Sequence, residues 1–102
     1  MLHVVATITL AAGKREAFLK EFKAIVPAVL AEKGCIEYGP TIDVPTNVPV
    51  QPPVREDVVT VIEKWEDIPS LEAHLVAPHM LAYRAKVKEL VKSTQVLVLQ
   101  PA

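Results

Sequence analysis

DVVTVIEKWE, residues 57–66, runs ten positions without a glycine or proline and is rich in β-branched side chains. Such a run forms a strand. Successive side chains of a strand point to opposite faces, so Val59, Val61, Glu63 and Trp65 share one face, and Val58, Thr60, Ile62 and Lys64 the other. Glu63 therefore lies on the same face as the only tryptophan. If that face meets helices, Glu63 is a partly buried carboxylate that needs a partner.

Downstream the period becomes helical. Asp67 is placed to N-cap a short helix, with Pro69 in its first turn and the Ser70 amide within reach of the cap. Pro78 marks a second start, and Met80, Tyr83, Val87, Leu90 and Val91 follow at helical spacing. STQVLVL, 93–99, closes the chain as a strand.

Upstream, prolines at 45, 49, 52 and 53 forbid helix or regular strand and predict an extended, polyproline-like arm over 45–55. CIEYGPTIDV, 35–44, alternates again, with a bulge or edge position expected at Gly39–Pro40. Between Lys14 and Gly34, the residues Phe18, Phe22, Ile25 and Val29 draw an apolar stripe, widened by Leu19, Val26 and Leu30. Gly34 supplies the stop. LHVVATITL, 2–10, is the first strand, apolar or uncharged on both faces.

The order is β-α-β-β-α-β with the second helix broken near Pro78. It predicts an α+β, ferredoxin-like fold: a four-stranded antiparallel sheet with its helices on one face. The other face is left bare, and a second copy of the chain is the economical cover, so a homodimer is expected.

The 102 residues fit one domain, 1–102, and at 51% hydrophobic content they form a core without disulfides or metal. The formal charge is −1, and no cluster of basic residues marks a nucleic-acid footprint. Arg84, Lys86, Lys88 and Lys92 read as a solvated face, diluted by Glu89. No apolar run approaches the roughly 18 to 20 residues that cross a bilayer. A lone Cys35 and the absence of a basic, small-residue leader pattern predict a cytoplasmic protein with no membrane partner.

Glu63, Trp65, His74 and His79 fall within 17 residues. Singly, each has an ordinary structural explanation: a packed indole, a solvated strand glutamate, a satisfied histidine. Together they outline a polar pocket, with His74 and His79 the nearest partners for Glu63 by topology. Tyr83 stands four residues after His79, on the same side of that helix. The glycines at 13, 34 and 39 are too scattered for a phosphate cradle. His74 and His79, separated by a proline break, lack the spacing of a helical metal site. No flavin, nicotinamide or metal cofactor is expected.

Trp65-Glu66-Asp67 after Glu63, then Leu71, His74 and Pro78-His79, resembles the signature of the antibiotic biosynthesis monooxygenase family. Val4-Val5-Ala6-Thr7 before Gly13-Lys14, and Gly34-Cys35-Ile36-x-Tyr38, fit the same pattern, so the resemblance spans nearly the whole chain. It implies a dimeric α+β barrel with a pocket between sheet and helices in each subunit. It further implies cofactor-independent oxidation of phenols and quinols, with Trp65 and a nearby histidine or tyrosine facing the ligand. Tyr38 and Tyr83 join Trp65 as expected substrate contacts. The proline-rich arm is longer than the family's usual connection. The asparagine that the haem-degrading branch carries on its first strand is missing, since the only asparagine is Asn47.

Without a redox cofactor, the substrate itself must supply electrons to oxygen, and a phenol does so best once deprotonated. His79, at a helix start where the macrodipole disfavours imidazolium, is the expected base. Glu63 would orient a histidine, with His74 beside them. A non-catalytic small-molecule-binding dimer and a proton-transfer isomerase are the alternative readings of the same residues.

Overall fold

Two-residue alternation builds four strands, β1 (Leu2–Leu10), β2 (Cys35–Thr41), β3 (Val58–Trp65) and β4 (Val91–Leu99). Apolar stripes build three helices, α1 (Arg15–Leu30), α2 (Ile68–Leu75) and α3 (Pro78–Val87), in the computed structural model, which describes residues 1–102. The strand order is β2-β3-β1-β4 with every neighbouring pair antiparallel. This is the ferredoxin-like α+β arrangement that the element order predicts.

The helices cover one face. Val4, Ala6, Ile8 and Leu10 of β1, with Val59, Val61 and Trp65 of β3, form one core with Phe18, Phe22 and Val29 of α1 and Met80, Tyr83 and Val87 of α3. Leu30, expected on the apolar stripe of α1, is 48% exposed. On the opposite sheet face Val5, Thr7, Thr9, Thr60 and Ile62 are half-buried. Leu97 and Leu99, at the β4 edge of the sheet, are 49% and 45% exposed.

Asp67 caps α2 as expected, its carboxylate accepting from the Ser70 amide at 2.9 Å. Gly34, at φ +83°, is expected to stop the first helix, but α1 already ends at Leu30 with Ala31 as its cap, and Gly34 shapes the turn that follows. A β-carbon there would collide with the Ser70 side chain, so the turn after α1 lies directly against α2. The Gly34 carbonyl also accepts from the Glu66 amide at 2.8 Å.

Two local expectations change. The irregularity in β2 falls between Cys35 and Glu37, whereas Gly39 and Pro40 stay in register opposite Ile62 and Val61. Proline is tolerated there because β2 is an edge strand, with one side free of ladder partners. β2 also stops at Thr41, whose hydroxyl donates to the Thr60 carbonyl, instead of reaching Val44.

Beyond Thr41 the chain leaves the sheet in an arm without helix or strand. Its neck is closed by Asp43 and Arg55: the guanidinium donates to both carboxylate oxygens at 2.8 and 2.9 Å, and the Arg55 amide donates to the same group. These bonds hold the Asp43 carboxyl low, at about 2. No helix of the protein is long and apolar enough to cross a membrane.

Candidate functional site

Alternation along β3 sends Glu63 inward, where only 7% of it remains exposed. Its partner is its neighbour two positions on, because Trp65 Nε1 donates to Glu63 Oε1 at 2.9 Å. The expected histidine partner is therefore corrected. A carboxyl buried this way resists ionisation. Burial pushes Glu63 up, the indole N–H opposes it, and the nearby Glu32 charge adds to the rise, leaving it at about 7.

Sheet register sets Tyr38 of β2 opposite Glu63. Its ring stacks on Phe22, with centroids 5.4 Å apart and planes 12° from parallel. Tyr83 meets Phe22 edge-on at 5.8 Å. Burial raises both phenols well above their ordinary value, so each stays a hydroxyl.

His74, on the inner face of α2, is 2% exposed and packs between Trp65 at 4.7 Å and Tyr38 at 5.3 Å. Its Nδ1 lies 2.9 Å from Glu32 Oε2, and His79 Nε2 lies 2.8 Å from that same oxygen. Both expected histidines thus converge on Glu32, in the turn after α1, and not on Glu63.

A cleft of about 380 Å³ opens between α3 and the β1–β4 side of the sheet. Ala6, Ile8 and Val61 form part of its apolar lining; Tyr38, Glu63, His74 and Tyr83 supply its polar groups; Arg84 and Lys88 are its exposed cations. Such a volume with a few convergent polar atoms suits a small ligand. Of the six side chains singled out from sequence, four line it. Trp65 is wholly buried and lies behind Glu63, and His79 stands behind Glu32 outside the lining.

Glu32 escapes the sequence argument because 42 positions separate it from His74. One signal was available. It follows the C-terminus of α1, where the helix dipole disfavours an acid, so the acid there needs another reason.

Residues 1–86 match the family model described as antibiotic biosynthesis monooxygenase. The chain is 44% identical over 103 aligned positions to the protein named Probable quinol monooxygenase YgiN of Escherichia coli K12, spanning 99% of this chain and 98% of that one. Among solved structures, PA3566 from Pseudomonas aeruginosa superposes with a TM-score of 0.81 at 29% identity, covering 99% of this chain and 93% of its own. Rv0793 from Mycobacterium tuberculosis superposes at 0.79 with 25% identity, over 99% and 94% of the two chains.

Proposed function

The chain belongs to the antibiotic biosynthesis monooxygenase family, and on that footing we propose that it oxidises a small phenol or hydroquinone with O2, without a cofactor, in the cleft beside α3. One observation carries this reading: His74 and the Glu63 carboxyl, which burial raises to about 7, line the same small apolar cleft. Proton transfer is what a cofactor-free oxidation asks of a protein, because a phenolate gives up electrons far more readily than a phenol.

For a hydroquinone the balance is simple. The hydroquinone and O2 yield a hydroxyquinone and water, with all four electrons drawn from the substrate. One oxygen atom enters a ring C–H bond, and the other leaves as water. His74 Nε2 has no hydrogen-bond partner within the protein and takes the phenolic proton. Glu63, partly protonated near pH 7, returns a proton to reduced oxygen. Tyr38 and Tyr83 donate to substrate oxygens, and the apolar lining shelters the anion from water. Trp65 and His79 act one step removed, through Glu63 and Glu32.

The same reading includes a homodimer. The half-buried face of the sheet with Val5, Thr7 and Ile62, together with Leu97 and Leu99, is the surface that a twin subunit covers, as no helix of the chain does.

The test is oxygen uptake above background with a naphthohydroquinone, followed by mass analysis of product formed under ¹⁸O2. One labelled oxygen atom per product molecule is expected. His74→Ala should lower kcat by roughly 100-fold or more, the scale of losing a general base. Ligand binding with no turnover would replace this reading with that of a carrier. Turnover indifferent to O2 would replace it with that of an isomerase.

A further inference from the structure

We propose that Glu32 is a positioning residue that fixes the proton of His74 on Nδ1 and so presents the lone pair of Nε2 to the cleft. The inference rests on His74 being the base of the proposed reaction. The geometry is direct, since Glu32 Oε2 stands 2.9 Å from His74 Nδ1 and 2.8 Å from His79 Nε2. An ionised carboxylate can only accept, so each of those nitrogens must donate. A neutral imidazole carries one proton. With it on Nδ1, Nε2, which bonds to no group of the protein, is left as an acceptor on a side chain that lines the cleft. The reverse tautomer would set a lone pair against a carboxylate oxygen and turn a donor toward the substrate.

His79 gives the arrangement its stability. It binds the same oxygen from the first turn of α3, so the carboxylate is held from two helices at once. Side-chain exposure climbs from 3% at His74 to 14% at Glu32 and 30% at His79. The carboxylate is thus fixed between the cleft and solvent. When His74 takes a proton, the resulting imidazolium already has its counter-charge in contact. The turn reaches this place because Gly34 lies against Ser70 with no room for a β-carbon.

Long-range ¹⁵N–¹H correlation spectra of protein labelled with ¹⁵N-histidine read the tautomer without any substrate. In the wild type, His74 should show a protonated Nδ1 and an unprotonated Nε2. In Glu32→Ala the proton should move to Nε2, the position favoured by an unconstrained histidine side chain. The same variant should lose roughly 10- to 100-fold in kcat, the range for a residue that orients a functional histidine, while KM moves less than about 2-fold. Glu32→Gln, which keeps an acceptor oxygen, should recover part of both, and Glu32→Leu, which has no acceptor, replaces Glu32→Ala if that variant fails to fold. A wild-type His74 protonated on Nε2, or a tautomer unchanged in a folded variant that lacks the acceptor (Glu32→Ala or Glu32→Leu), overturns the proposal. If the tautomer moves as expected but no quinol supports oxygen uptake by the wild type, the oxidation reading falls and the positioning role stands.

Discussion

Glu63 sits where a charge is hard to hold, and that leaves a mark on stability. Its carboxyl titrates near 7 in the folded protein against an ordinary 4.5. Below the ordinary value both folded and unfolded chains keep the proton. As pH rises between the two values, the unfolded chain releases its proton while the folded one retains it, so stability falls across that window and levels off above it. The difference amounts to about 3 kcal/mol, an upper figure for one group. Glu63→Gln stays neutral and can still accept from Trp65. Its urea-unfolding free energy should lack this decline, and it should exceed the wild type at about pH 8. A parallel pH profile in the two proteins would contradict the assignment. The strand alternation that exposes this relation is readable in DVVTVIEKWE: Glu63 and Trp65, two apart, had to share a face. That they bond to each other, instead of Glu63 turning to a histidine, depends on how α2 and the turn at Glu32 sit above the sheet. No period in the sequence encodes that long-range fit.

Among the elements, α2 matters most because it carries His74 into the cleft. Eight residues make a helix too short to stand without its ends secured. Asp67 secures one of them through the Ser70 amide. Asp67→Ala should cost about 1 kcal/mol, a fall in Tm of roughly 4–8 °C for a domain of this size. Calorimetry measures it. Gly34→Ala should cost more, on the order of 1–3 kcal/mol from the positive φ alone, with the collision against Ser70 in addition. A chemical melt of that variant matching the wild type would refute the close approach of turn and helix. Element positions were largely legible: β1 occupies Leu2–Leu10 as its composition demands, and the break at Pro78 separates α2 from α3. The ends of β2 and β4 were less so. Thr41 leaves the ladder where its hydroxyl finds Thr60, and β4 starts two residues before Ser93; both depend on partners across the sheet.

At the scale of the whole molecule, the sheet has one face covered by helices and one that is not. Thr7 lies near the middle of the uncovered face, paired with Thr60 on one side and Gln95 on the other. Sedimentation equilibrium should find a dimer. Thr7→Arg should dissociate it, because a two-fold interface would bury the new charge twice without a partner. A wild type sedimenting as a single chain would refute the proposed pairing. The arm beyond β2 raises a different matter. Asp43 and Arg55 draw its two ends together, so whatever happens farther out is felt at the sheet only through that buckle. The outer segment, with Val50 89% exposed at its tip, is accordingly a pendant handle. A foreign epitope spliced beside Val50, or a protease nick there, should leave the melting temperature of the body nearly untouched. With the buckle undone by Arg55→Ala, the same graft should begin to loosen the hem of β3.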